Sequence, residues 1–192
     1  EGRAAAELPG AAHDLLVAHP RPDALAVAVG PGSFTGLRVA VVLVRTLAWT
    51  EDLPVHPVDT LAAIAAAAGA GLHLVAMPLK RDVTFLAAYA VDADGRPTLH
   101  APLRACADAD PCPLDCPSGA QLVGPALASK PAVIARWFGE RPRGPAAGCT
   151  ARGVALAAGA EPAVAWEAVR PAYHMASAPE LQRARERGGG VA

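Results

Sequence analysis

Strands alternating with helices predict a mixed α/β fold with a largely parallel sheet. Three observations carry that expectation. Ala24 to Val29 (ALAVAV) is a short, continuous apolar run bounded by turn residues; a glycine-rich junction, Gly30 to Gly36, follows it at once; and Leu37 to Trp49 is an apolar helical stretch. A run apolar at every position fits a strand buried on both faces better than a half-exposed one.

The remaining elements follow in order. Ala4 to Ala18 reads as a helix with an apolar stripe at Leu8, Ala12, Leu15 and Leu16, ended by Pro20 and Pro22. Pro54 to Val58 is a predicted strand, and Asp59 or Thr60 caps a helix over Leu61 to Ala68. Leu72 to Met77 and Val83 to Val91 read as strands, and Asp92 to Gly95 as a turn. Cys106 to Gly119 reads as an exposed, Pro- and Asp-rich loop, Gln121 to Val123 as a short strand, and Leu127 to Phe138 and Arg152 to Ala158 as helices. Arg183 to Gly190 reads as a fraying polar tail.

Composition narrows the function classes. The chain has 192 residues, 53% of them hydrophobic and 18% charged, with a formal net charge of -1. That apolar fraction fills a core and excludes global disorder. The near-neutral balance excludes a nucleic-acid binder working by bulk electrostatics alone. Roughly a quarter of the residues are alanine, which suits close helix packing but adds little transfer energy each, so Val, Leu and Ile must carry the core with help from a partner. No stretch reaches the ~20 apolar residues of a membrane span, and no secretory signal is read in the opening residues. The chain begins at Glu1, which reads as a fragment or a processed end.

Metal and cysteine chemistry are weakly signalled. Cys106, Cys112 and Cys116 are spaced C-x5-C-x3-C without a nearby His, unlike the paired C-x2-C of zinc sites. With Cys149 they read as reduced thiols of a cytosolic chain. His13, His19, His56, His73, His100 and His174 form no i, i+4 pair and read as surface or core-edge residues.

The most informative segment is Gly30-Pro31-Gly32-Ser33-Phe34-Thr35-Gly36-Leu37-Arg38. Its glycines permit backbone angles and close approaches that side chains forbid, and Ser33 and Thr35 are candidate caps for the following helix. A strand, glycine loop and helix in that order expose N–H groups at a positive helix end, where anions bind. A tight turn without ligand is the competing reading. The segment is neither a Walker loop nor G-x-G-x-x-G. In the helix that follows, Arg38 and Arg45 lie seven apart on one narrow polar stripe, and nearly everything else is apolar, including Leu37, Val41, Val42, Leu43 and Val44. Such a helix needs burial on most sides, either as a central core helix or against another subunit, in a surface that Ala12 and Leu15 of the first helix can join.

GPGSFTGLR, with ALAVAV before it and an apolar helix after it, resembles the bacterial tRNA threonylcarbamoyladenosine biosynthesis protein family TsaB (YeaZ). Pro54 to Ala65 (PVHPVDTLAAIA) resembles the family's next elements, and Arg170-Pro171-Ala172-Tyr173 loosely resembles its C-terminal Pro-x-Tyr segment. The resemblance implies an actin-like, Hsp70 and sugar-kinase (ribonuclease H-like) fold in two lobes, expected here over residues 1–100 and 101–192. It implies a non-catalytic scaffold that pairs with the catalytic paralogue TsaD, which adds threonylcarbamoyl to the adenosine following the anticodon of tRNAs reading ANN codons. The ATPase TsaE joins that pair, and tRNA is met indirectly through the complex. It also implies pairing through the helices at 4–18 and 37–49, hence through Ala12, Leu15, Leu37, Val41, Val42, Leu43 and Val44. No catalytic residue, metal or cofactor is expected, the location is cytoplasmic, and weak homodimerisation is expected without TsaD.

Three departures qualify the resemblance. TsaD-type relatives carry a metal-binding His pair at positions that fall near Thr60 and Ile64 here, and an aliphatic side chain cannot ligate a metal. Leu79-Lys80-Arg81-Asp82 stands where the family has Asp-Ala-Arg; Lys80 and Arg81 are either phosphate-facing or a solvated turn. Nothing resembling the opening strand hairpin, whose Asp-Thr-Ser turn faces the nucleotide, precedes Glu1, so no nucleotide role is expected. Two other classes compete: a metal peptidase-like or kinase-like enzyme of the same superfamily, and a self-associating structural module.

Overall fold

A computed structural model describes residues 2–80, 82–112, 114 and 117–173, without the side chains of residues 2–5 and 80. Arg81, Cys116, His174 and the tail at 183–190 therefore lie outside the described residues, as does the Lys80 side chain.

The structure is organised around a helix of small residues. Asp59 ends a strand and caps this helix: its Oδ1 accepts from the N–H groups of Leu61 (2.7 Å) and Ala62 (2.9 Å). The helix, Thr60–Ala68, is buried at every position from Thr60 to Ala66. In chain order the elements are α1 (Gly2–Ala18), β1 (Leu25–Gly30), α2 (Phe34–Glu51), β2 (Val55–Asp59), α3 (Thr60–Ala68), β3 (Gly71–Lys80), β4 (Val83–Val91), β5 (Pro97–Ala107), β6 (Gln121–Val123), α4 (Ala126–Ser129), α5 (Pro131–Phe138) and α6 (Ala151–Ala158), then a 3-10 turn at Trp166–Ala168.

The strands make two sheets, with α3 between them. β1 and β2 pair in parallel, Leu25 opposite Val55 and Val27 opposite Pro57. Val27, Val55 and Val169 pack on α2 through Val41 and Ala48, while on the other side Ala26 and Val58 meet Ala63 and Ala66 of α3 and Ala157 and Ala158 of α6. The second sheet runs β5-β4-β3-β6. Its period-2 alternation divides the side chains cleanly. Val75, Met77, Phe85, Ala87 and Tyr89 face Leu61, Ile64 and Ala65 of α3. Leu74, Ala76, Leu86 and Ala88 face Ile134 and Phe138 of α5.

Several expectations are corrected. The fold is α/β, but the sheets are not largely parallel: β3–β4 and β4–β5 are long antiparallel pairs, and only β1–β2 and the short β3–β6 are parallel. β5 is a strand where the sequence pattern predicts none. It runs through residue 100 and takes in Cys106, which is buried rather than in a loop. The segment after it is not a free excursion either, since Leu114 is buried in the core and the Trp137 indole N–H donates to the Asp110 carbonyl at 2.8 Å. The single helix expected over Leu127 to Phe138 is two, because Pro131 lacks the N–H that would continue the first and instead opens the second. α2 begins at Phe34, three residues before its expected start.

The Tyr89 hydroxyl donates to Asp59 Oδ1 at 3.0 Å, tying β4 to the α3 cap. Burial first, then the Asp59 charge and that hydrogen bond, push the phenol well above the ordinary tyrosine range. Above about pH 10 an unfolded chain gives up this proton and the folded chain keeps it, so stability falls as pH rises. Cys106, pushed up to about 11 chiefly by burial, adds a slope of the same sign from the ordinary thiol range upward. Urea unfolding at about pH 8 to 11 is therefore expected to show a loss of stability that Tyr89→Phe makes shallower. An equally steep loss in that variant would clear Tyr89 as the source.

Candidate functional site

The GPGSFTGLR segment is built by its helix start. Ser33 is the N-cap of α2, its Oγ accepting from the Gly36 N–H at 3.2 Å, and the Leu37 N–H bonds the Ser33 carbonyl at 2.9 Å. Of the two candidate caps, Ser33 fills the role and Thr35 lies inside the helix. Gly30 adopts φ 137°, and a Cβ there would overlap the carbonyl oxygen of Ala172. The Ala172 N–H donates to Val29 O at 2.7 Å. The chain's own C-terminal segment thus fills the space over this loop, which is why position 30 must be glycine.

Phe34 and Arg38 reach the same segment. The Arg38 guanidinium lies 3.9 Å from the Phe34 ring centroid, and its Nε donates to the Tyr173 hydroxyl at 3.0 Å. The Phe34 and Tyr173 rings lie with centroids 4.9 Å apart, tilted by 32°. Gly30 and Pro31 are buried, Gly32 is half-buried, and Ser33, Phe34, Thr35, Gly36 and Arg38 are exposed. At the other end of α2, Arg45 lies 5.5 Å from the Trp166 ring, and Trp49 and Trp166 are 6.5 Å apart. Tyr173 was legible only as part of a loosely matched tetrapeptide, and Trp166 carried no signal of its own.

The seven residues expected at a partner surface fall into three groups. Val41 (2% exposed) points into the chain's own core beside Val27 and Val55, and Leu37 (8%) is buried against Gly30 and Gly32, while Val42 (61%) and Leu15 (60%) face outward. Ala12, Leu43 and Val44 are half-buried and line a hollow of about 620 Å³ between α1, α2 and β1. Its lining is almost wholly apolar, with Leu8, Leu16 and Leu47 completing this wall. Trp49, 65% exposed, extends the apolar surface of α2 toward its C-terminus. The helix that α/β packing buries on all sides is α3, whose residues are small. α2 covers one sheet face and leaves Val42 and Trp49 without cover. A monomer rarely leaves large apolar side chains clustered on one surface without use for them.

Other chemistry-bearing residues have structural surroundings. Thr60 and Ile64 are buried within α3. His73 is buried, with Nε2 2.8 Å from Gly69 O, and His56 Nδ1 lies 3.0 Å from Glu161 O. Among the described residues no three His, Cys, Asp or Glu side chains converge to hold a metal. Among them, too, no helix is long and apolar enough to cross a membrane.

A family model described as TsaD, tRNA N6-adenosine threonylcarbamoyltransferase, matches residues 11–79, which is less than half of the chain. The TsaB protein of Bacillus subtilis is 50% identical over 42 residues, and that of Haemophilus influenzae 54% identical over 46, covering 22% and 24% of this chain. The matched segments span about a fifth of those relatives, 18% and 20% of their lengths. YeaZ from Pseudomonas aeruginosa superposes with a TM-score of 0.74 at 24% identity, over 88% of this chain and 84% of its own. A second solved structure, titled as an uncharacterized protein with similarity to peptidase YEAZ from Pseudomonas aeruginosa, gives 0.73, also at 24% identity, over 88% and 83%. These superpositions show that the chain shares the α/β fold of YeaZ, and the sequence matches show a local similarity to the TsaB proteins.

Proposed function

We propose that this chain acts in the biosynthesis of threonylcarbamoyladenosine in tRNA as a scaffold subunit, docking through α1 and α2 onto the catalytic paralogue TsaD in the cytoplasm. The observation that carries the reading is the uncovered apolar surface of those two helices, which exposes Val42 and Trp49 on α2 and Leu15 on α1. Val41 supports it from beneath by packing α2 on the small sheet. In this reading TsaE joins the pair and tRNA is met through the complex. Chemistry stays with the partner, and the chain needs no cofactor of its own. The same surface, without its partner, drives weak homodimerisation.

The test is association with TsaD of the same organism, followed by size-exclusion chromatography and calorimetry. Val42→Asp places a charge where an apolar side chain would be desolvated. It is expected to weaken binding by about 2 kcal/mol or more, roughly thirtyfold. Because Val42 is exposed, folding should be unchanged by circular dichroism. Absence of any complex, or a Val42→Asp variant that binds as tightly as the parent, would sink the reading.

A further inference from the structure

Two spacings match across the molecule. Arg38 and Arg45 lie seven apart on α2, and Trp166 and Tyr173 lie seven apart near the C-terminal end of the described chain. The structure brings the pairs together. Tyr173 meets Arg38 and Phe34 at the start of the helix, and Trp166 meets Arg45 and Trp49 near its end. Between the two contacts the segment is held from below. Val164 bridges to Val55, Val169 is fully buried beside Val27 and Val41, and the Ala172 N–H bonds Val29 O. Trp166 also stands beside Val42, Arg45, Thr46 and Trp49 around an open hollow of about 380 Å³.

We infer that residues 164–173 form a strap latched along α2 by two arginine–aromatic clasps, and that the strap and helix together make one docking face. The latch explains the narrow polar stripe on an otherwise apolar helix. The guanidinium groups are retained because each covers an aromatic ring, and Arg38 also donates to a phenol. It also accounts for Gly30, since any side chain there would displace Ala172. The composite face rests on the docking reading above; the latch does not.

Hydrogen exchange of the full-length protein tests the latch directly, because the Ala172 amide is bonded only while the strap is seated. Arg38→Ala is expected to speed exchange at Ala172 about three- to tenfold. Amides of Val75 and Phe85 in the other sheet should not change. Tyr173→Phe, which keeps the ring and loses the hydroxyl, should give a smaller rise. An Ala172 amide that already exchanges as in a free peptide, or that is unmoved by both Arg38→Ala and Tyr173→Ala, overturns the latch. With TsaD bound, Ala172 exchange should slow further, and Arg45→Ala should weaken binding several-fold with Val42 intact. Unchanged exchange in a formed complex, or unchanged affinity of Arg45→Ala, overturns the composite face. If the parent protein forms no complex with TsaD, the docking reading and the composite face fall together, and exchange in the free protein still decides the latch.

Discussion

Asp108→Ala is expected to cost about 3 kcal/mol of folding stability, a fall in Tm of roughly 6 to 12 °C for a chain of this size. Asp108 lies at the end of β5 with its side chain only 13% exposed, and it serves two buried groups. Its Oδ2 is 2.6 Å from Lys130 Nζ, and its Oδ1 accepts from the Thr84 hydroxyl at 2.7 Å. Lys130 also donates to the Val83 carbonyl at 2.9 Å, so this one cluster ties the β4–β5 hairpin to the start of α5. Removing the carboxylate leaves an ammonium that is 10% exposed without the charge beside it, and a hydroxyl in a fully buried Thr84 without its acceptor. An exposed surface pair would be worth a fraction of this, because water would replace the partner. Lys130→Met in the Asp108→Ala background should recover a good part of the loss, since the ammonium then no longer needs a counter-charge. Urea denaturation of the two single variants and the double variant checks both statements. A loss under about 1 kcal/mol would show that the cluster is decorative.

Nothing in the sequence pointed to that cluster, and the reason is general to this molecule. Local pattern was legible where one element satisfies its own needs. Asp59 before a helix, Ser33 before another, the Asp92–Gly95 turn and the apolar run of β1 all appear where they were read. Pattern failed where the partner is distant. β5 contains Pro97 and Pro102, and most of its side chains are exposed. It looks unlike a strand because it is an edge strand, where a missing N–H can face solvent. The parallel expectation held for β1, α2 and β2, where a helix separates the strands. It failed for β3 to β5, which follow one another as hairpins. α2 stands out in the sequence as strongly apolar, but apolarity alone cannot say which side chains face inward. That depends on the phase of the helix against β1, which sets Leu37 and Val41 inward and Val42 outward. The pairing of Arg38 with Tyr173 spans 135 residues and is invisible to any local rule.

Gly153→Ala is expected to destabilise the protein by about 2 kcal/mol, and Gly10→Ala to leave it as stable or up to about 1 kcal/mol more stable. Both glycines sit inside helices, and in both the new methyl improves helix propensity by a similar amount. The surroundings decide the sign. A Cβ at Gly10 meets nothing within 4 Å. A Cβ at Gly153 would overlap the carbonyl oxygen of Ala63 and stand 3.1 Å from the Ala67 methyl. α6 lies against α3 through small side chains there, and α3 cannot retreat, because Leu61, Ile64 and Ala65 press its opposite side onto Phe85 and Val75 of the larger sheet. The overlap is therefore with backbone on a wedged helix, and relief requires one of the two sheets to shift. Valine at 153 should be worse than alanine, with loss of a cooperative thermal transition the expected result. The close helix packing that the alanine content suits is found at this contact: α3 is shared by two sheets and by α6, and small side chains let three layers meet on one helix. Thermal unfolding of Gly153→Ala and Gly10→Ala side by side decides the matter. Equal changes in Tm would mean that α6 is free to move and that α3 is not the fixed axis of the fold.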